Sequence, residues 1–244
     1  METSVVGSAL TTSVAAVIVA GGTGERFGDP GGKQLASAAG EPVLARTIDA
    51  FTACDLISEI IVAVHPDRIS EFQGALRSSG VAMDSILVIA GGETRQQSVA
   101  NGLAAIKGAH RIVAVHDGAR PVVSADLIER AIHAIESKQC DGVVVGHPSF
   151  DTLKLVDDDR IVDTPDRSRY WVVQTPQVFL VDVLRAAHAA AVTDGYQGTD
   201  DASLVERNGG DVRVLEGPRE NIKVTVPADL GFVEAILRSR EDQE

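Results

Sequence analysis

The sequence predicts an α/β fold: a doubly wound, mostly parallel sheet with a projecting β-hairpin arm. Three observations carry this expectation. Short apolar runs rich in Val and Ile alternate with stretches of helical periodicity. Glycine-rich loops follow the runs at 14–20 and 85–89. A polar interval at about 146–169 breaks the alternation. Strand–helix alternation gives a mostly parallel sheet covered by helices on both faces, with ligands beyond the carboxyl ends of the strands.

The elements read in order. The near-continuous apolar run 14–20 (VAAVIVA) suits a strand buried on both faces, and 60–64, 85–89, 112–115 and 142–145 read the same way. Helical patterns lie between them at about 42–53, 67–79, 95–106 and 125–138, with Asp67 and Ser124 as expected N-caps. Two strand-like pieces, 152–156 and 160–162, flank a turn at 157–159 and form the arm. An isolated hairpin is marginal in water, so the arm is expected to pack on something. Helical patterns return at 180–192 and 200–207, followed by a strand at 212–215 and a helix near 227–240.

A chain of 244 residues suits one domain, expected at 14–240 after a loose tail at 1–13. Its 22 basic and 35 acidic residues give a net charge of −13, which repels a phosphate backbone and argues against a nucleic-acid partner. A local cluster of cations can still bind a small phosphorylated substrate. The first basic residue is Arg26, which excludes the positive region of a secretory signal, and the run 14–20 is far shorter than the roughly 20 residues of a membrane span. Cys54 and Cys140 show no metal-ligand spacing and read as buried thiols in a reducing, cytoplasmic setting.

Three loops carry the chemistry. The first is 20–34 (AGGTGERFGDPGGKQ), directly after the first strand. Its glycines let backbone N–H groups approach an anion, and Arg26 and Lys33 add charge. It is neither a Walker A loop, because Gln34 follows Lys33, nor a dinucleotide fingerprint, because Phe27 takes the last glycine's place. The competing reading is a plain surface loop. The second is 91–98 (GGETRQQS), which opens a helix and reads equally as an anion or polar-group site or as a turn capped by Thr94. The third is 116–121 (HDGARP): Asp117 is a candidate for a ribose hydroxyl or magnesium, and Arg120 for orienting Asp117 or meeting a phosphate. A structural ion pair is the competing reading. His116 and Asp117 are not a catalytic dyad, because adjacent residues on an extended chain point opposite ways.

With DTxK at Thr152 and Lys154, QTPQ at 174–177, TDDAS at 199–203 and NIKVT at 221–225, these loops form an ordered set across 14–237. The set resembles the 2-C-methyl-D-erythritol 4-phosphate cytidylyltransferase family. The resemblance implies a Rossmann-like sheet whose β-arm clasps a second subunit in a homodimer. It implies Ala20, Gly21, Gly22 and Gly24 around the triphosphate of CTP, with Arg26, Lys33 and Lys223 as catalytic cations. Gly92, Glu93 and Ser98 match positions around the cytosine, and Asp117 and Gly118 match positions near the ribose and metal. Arg120, Thr175 and Thr199 match acceptor-side positions, and Thr152 and Arg167 match arm residues donated to the neighbouring subunit. Glu25, Glu93 and Gly118 stand where other members carry a second basic residue, Asp and Ala.

The implied reaction is cytidylyl transfer from CTP to a sugar-alcohol phosphate, with Mg2+ or another divalent cation as cofactor. The acceptor phosphate has a second pKa near ~6, so it is largely ionised at neutral pH and needs no general base. D-ribitol 5-phosphate as acceptor is the near alternative, and a non-catalytic nucleotide-binding regulator is the alternative of another class.

Overall fold

The structure is a computed structural model that describes residues 13–22, 27–28 and 32–242. In chain order the elements are β1 (Val14–Ala20), α1 (Gly32–Leu35), β2 (Ser37–Ala38), β3 (Glu41–Pro42), α2 (Val43–Thr52), β4 (Ile57–Val64), α3 (Ile69–Ser78), β5 (Ile86–Ala90), α4 (Arg95–Ala105), β6 (Ile112–Asp117), α5 (Ala125–Lys138), β7 (Gly142–Pro148), β8 (Leu155–Asp157), β9 (Arg160–Asp163), β10 (Trp171–Leu180), α6 (Val181–Thr193), α7 (Asp201–Arg207), β11 (Val212–Glu216) and α8 (Ala228–Glu241). Short 3-10 turns lie at Pro66–Arg68 and Arg167–Arg169. Of the tail expected at 1–13, all but Ser13 lies outside the described residues.

β1 shows why its run is apolar throughout. Side chains alternate across a strand. Val14, Ala16, Ile18 and Ala20 join one hydrophobic cluster, and Ala15 and Val17 join another. The first cluster includes Leu44 and Ile48 of α2, Phe72 and Leu76 of α3, and Leu127, Ile128 and Ile132 of α5. The second includes Val99 and Leu103 of α4, Leu184 and Ala187 of α6, and Leu204 and Val205 of α7. Helices therefore cover both faces of a Rossmann-like sheet. Gly102 lets α4 lie close to it: a Cβ there would stand 2.4 Å from Val17 Cγ1. A third cluster packs Val233 of α8 with Phe27, Val43, Val122 and Val224.

The sheet runs β11-β7-β10-β6-β1-β4-β5, and β10 alone is antiparallel to its neighbours. The sequence pattern does not reveal β10. Its run WVVQTPQVFL is interrupted by polar residues and by Pro176, which argues against a central strand. The structure resolves the conflict with an irregularity: pairing with β7 shifts register between Val173 and Gln177. The proline falls in that break, where no ladder donor is needed.

Two further expectations are corrected. Ser124 does cap α5, accepting from the Leu127 N–H at 3.2 Å, but Asp67 caps nothing. Pro66 is suited to the first position of a helical turn. The turn therefore starts before Asp67, His65 Nδ1 accepts the Asp67 N–H at 3.3 Å, and α3 begins only at Ile69. In the arm, the first strand is β8 at Leu155–Asp157 rather than 152–156. Asp157 pairs with Arg160, leaving a two-residue turn in which Asp158 takes φ 52, a conformation Asp tolerates. Leu155, Val156, Ile161 and Val162 are all about half exposed on this hairpin.

Candidate active site

A cleft opens at the carboxyl ends of β1, β5 and β6, where a parallel sheet places its ligands. It is lined by Val19, Gly21, Gly22, Lys33, Gln34, Gly92, Glu93, Thr94, Arg95, Ser98, Asp117, Ala119 and Lys223. Gly21, Gly22, Lys33, Gly92, Glu93, Ser98, Asp117 and Lys223, drawn from both ends of the chain, thus meet in one place.

Each wall has a local cause. Gln34 is buried and donates to the Gly22 carbonyl at 3.3 Å, tying α1 to the start of the glycine loop. At the β5 end, Ser98 Oγ accepts the Gly92 N–H at 3.0 Å, and Gln97 Oε1 accepts the Glu93 N–H at 2.9 Å. Gly92 must be glycine for this: a Cβ would stand 2.3 Å from Gln97 Cγ. Thr94 caps α4 through the Gln97 N–H at 3.1 Å. At the β6 end, Gly118 is crowded, and a Cβ would come within 2.9 Å of Leu44 Cδ1.

Lys223 is delivered by a segment with no regular structure. Val224 N–H donates to the Ala119 carbonyl at 2.8 Å, and Arg120 donates to the Asn221 carbonyl at 2.7 Å. Asn221 is fully buried and donates to the Thr175 carbonyl at 2.8 Å. These bonds bring Lys223 Nζ to 2.7 Å from Asp117 Oδ2.

Asp117 is the electrostatic centre. Arg95 Nε meets its Oδ1 at 3.1 Å, and Arg120 Nε stands 3.8 Å from Oδ2. Burial alone pushes the Asp117 carboxyl up, but Arg95 and then Lys223 outweigh it and hold the group well below the usual carboxylate range. Burial holds the Arg120 guanidinium below its ordinary value, and Asp117 offsets only part of that. His116 faces away from the cleft, with its ring centroid 5.0 Å from that of Phe51. Burial pushes its pKa down to about 3, so it is a neutral core residue. The Thr175 hydroxyl links the two layers: it accepts the Asp117 N–H at 3.0 Å and lies 3.1 Å from His116 Nδ1.

Other expected site residues stand apart from the cleft. Ala20 and Gly118 are buried beside the lining residues Gly21 and Asp117, and Thr175 lies behind Asp117. Thr199 is exposed and precedes Asp200, whose side chain caps α7 through the Ser203 N–H at 2.9 Å. Thr152 and Arg167 are exposed on the arm, where Arg167 donates to the Phe150 carbonyl. Gly24 and Arg26 lie outside the described residues.

The sequence reading assigned no role to Arg95, Asp201 or His188. Arg95 Nη1 donates to Asp201 Oδ2 at 2.6 Å, and His188 Nε2 lies 3.0 Å from Asp201 Oδ1. One local signal pointed here. Arg95 opens α4 in a first turn that holds no acid, and a cation opposes the helix dipole there. Such a residue needs carboxylates from elsewhere, and two supply them.

Known proteins share this chain's pattern. The family model described as 2-C-methyl-D-erythritol 4-phosphate cytidylyltransferase matches residues 14–239. Two relatives bearing that name come from Caldanaerobacter subterraneus subsp. tengcongensis and Symbiobacterium thermophilum. The first is 42% identical over 227 residues, covering 93% of this chain and 99% of its own. The second is 41% identical over 235 residues, covering 96% and 97%. Among solved structures, 4-diphosphocytidyl-2C-methyl-D-erythritol synthase from Anaerococcus prevotii aligns with a TM-score of 0.81 at 29% identity, covering 93% of this chain and 97% of that one. The 2-C-methyl-D-erythritol 4-phosphate cytidylyltransferase from Thermus thermophilus aligns with a TM-score of 0.74 at 32% identity, covering 93% and 99%.

Proposed function

We propose that this chain, which belongs to the 2-C-methyl-D-erythritol 4-phosphate cytidylyltransferase family, transfers CMP from CTP to 2-C-methyl-D-erythritol 4-phosphate. A phosphate oxygen of the acceptor attacks the α-phosphorus of CTP, the bond to the β-phosphate bridging oxygen breaks, and pyrophosphate leaves. The product is 4-diphosphocytidyl-2-C-methyl-D-erythritol. The observation that carries the reading is the meeting of Lys33, Lys223 and Asp117 in a cleft that Gly21 and Gly22 also line.

The barrier is electrostatic: two anions must approach, and charge moves onto the leaving pyrophosphate. Fixed cations act on both problems without reorganising during the reaction. Lys33 and Lys223 take that role from the described cleft, and Arg26 joins them from the family pattern. The acceptor phosphate is already ionised, which is consistent with neutral His116 lying in the core as no base. Family membership favours the methylerythritol acceptor over D-ribitol 5-phosphate and over a regulator without activity.

Magnesium, or another divalent cation, fits the donors present. Among the described residues no cluster of three or more His, Cys, Asp or Glu could hold a metal by itself. Asp117, whose two oxygens are met by Arg95 and Lys223, would offer one carboxylate edge at the cleft, and magnesium commonly binds through one carboxylate together with substrate phosphates and water. When bound, the ion supplies further neutralisation of triphosphate charge.

The arm completes the reading. Its exposed Leu155, Val156, Ile161 and Val162 support docking against a second copy in a two-fold homodimer. Thr152 and Arg167 then serve the acceptor half of the partner's site, with Arg120, Thr175 and Thr199 on the chain's own acceptor side. Buried, free Cys54 and Cys140 support a cytoplasmic location. Among the described residues no helix is long and apolar enough to cross a membrane.

The test is pyrophosphate release by the purified chain with CTP and magnesium, run in parallel with the two acceptors and with UTP in place of CTP. Rapid release with CTP and the methylerythritol phosphate alone supports the reading. Equal rates with D-ribitol 5-phosphate or with UTP overturn it.

A further inference from the structure

We infer that Asp201 and His188 are positioning residues that act on the reaction through Arg95 and Asp117. The inference rests on the cytidylyl-transfer reading and deepens it. The observation is a continuous line of short polar contacts from the core to the cleft. His188 Nε2 meets Asp201 Oδ1 at 3.0 Å, Asp201 Oδ2 meets Arg95 Nη1 at 2.6 Å, and Arg95 Nε meets Asp117 Oδ1 at 3.1 Å. The line ends at Lys223 Nζ, 2.7 Å from Asp117 Oδ2.

Burial makes this line more than a surface ion-pair chain. Asp201 is 0% exposed and His188 4%. A carboxylate withdrawn from water is costly unless both oxygens are paired, and here each has one partner. Asp201 is itself held firmly. It is the first residue of α7, which is anchored by the Asp200 cap and by Gln177, whose Nε2 donates to Asp200 Oδ2 at 2.7 Å and whose Oε1 accepts the Ala202 N–H at 3.2 Å. His188 lies on α6, Arg95 on α4 and Asp117 at the end of β6. Residues of three helices from one face of the sheet thus form a line that reaches one carboxylate in the cleft through Arg95. The bond to Asp201 is best made by an Nε2–H tautomer of His188, which leaves Nδ1 as a buried acceptor without a partner.

The chemical consequence follows from charge sharing. Arg95 is shared between a carboxylate outside the cleft and one inside it. Asp201 therefore limits how much of the Arg95 charge Asp117 receives and fixes the direction from which it comes. That sets the orientation of Asp117 and its hold on Lys223, the cation assigned to the reacting phosphates. Without Asp201, Arg95 is free to swing toward Asp117 or the triphosphate, and Lys223 loses its set position.

The test is a double-mutant cycle in the full-length enzyme. Wild-type turnover of CTP and acceptor checks the underlying reading first, so failure there is distinguishable from failure of the relay. Asp201→Asn is expected to lower kcat about tenfold or more while changing KM for CTP much less. In an Asp117→Asn background the same substitution should change kcat less than about twofold, because coupled residues are non-additive. His188→Gln keeps an N–H donor near the Nε2 position and should retain most activity, whereas His188→Leu should behave like Asp201→Asn. If Asp201→Asn does not fold, His188→Leu carries the same cycle with Asp117→Asn. Additive losses in the cycle, or equal losses for His188→Gln and His188→Leu, overturn the proposal.

Discussion

The cleft and the arm satisfy themselves in opposite ways. In the cleft, Asp117 is 7% exposed and is met by Arg95, Lys223 and Arg120 from its own chain. In the arm, Leu155 is 59% exposed and Ile161 57%, and among the described residues β8 and β9 pair only with each other. Buried charge has to be matched when the chain folds, because an unmatched ion costs several kcal/mol. Exposed apolar area can wait for a partner. The difference teaches that the charged cleft is matched within one chain, whereas the arm leaves apolar area uncovered, as the proposed two-chain acceptor site requires.

The largest expected effect breaks the cleft. Lys33→Ala and Lys223→Ala should each lower kcat by about 10²–10³, the usual loss on removing one electrostatic donor, with a smaller rise in KM for CTP. Steady-state pyrophosphate release measures both, and a near-normal kcat in either variant removes that lysine from the mechanism.

The second prediction sets cleft against arm directly. Arg167→Ala and Lys33→Ala should each be nearly inactive as homodimers. A mixed dimer of the two combines an intact Lys33 from one chain with an intact Arg167 from the other at one of its two sites. Purified heterodimer should therefore recover up to about half of wild-type activity, by two-fold site counting. A heterodimer as inactive as its parents means that Arg167 serves its own subunit or only the fold.

The third touches the arm alone. Leu155→Asp or Ile161→Asp should weaken self-association at least about tenfold in sedimentation, since a buried charge at an interface is costly. The thermal midpoint measured under dissociating dilution should hardly move, because an exposed substitution usually changes stability by within ~0.5 kcal/mol. Unchanged association breaks the two-chain picture.

The smallest effect concerns the layer beneath the cleft. His116 has a pKa of about 3 in the folded chain, against ~6.5 when unfolded. Between these values the unfolded chain binds a proton that the folded chain refuses, so stability falls as pH drops from ~6.5 toward 3, by up to about 1.4 kcal/mol per pH unit. Denaturant melts at pH 7, 6 and 5 should show this, with a shallower slope in His116→Gln. An identical slope in that variant would assign the pH dependence to other groups.

Much of the molecule was legible from local pattern. β1 appeared as an apolar run because both its faces are covered, and α5 appeared with its cap and its 125–138 span intact. Lys33, Asp117 and Lys223 stood out through the motifs around them, and they do share one cleft. Asp67 misled because a cap is defined by where the turn begins, and Pro66 moved that point.

What the sequence determined by itself was the set of elements with a repeating period and the chemical identity of the cations and carboxylate in the glycine-bounded loops. Periodicity and turn chemistry are written within a dozen neighbouring residues, so they survive being read one stretch at a time. Only the tertiary structure decided that β10 enters the sheet antiparallel between β6 and β7, with its register break absorbing Pro176. Only the tertiary structure joined Arg95 to Asp201, 106 positions away, and Asp201 to His188 on another helix. No local pattern encodes such a pair. A buried charge takes whichever partner the packed helices bring within reach, and that choice exists only once the chain has folded.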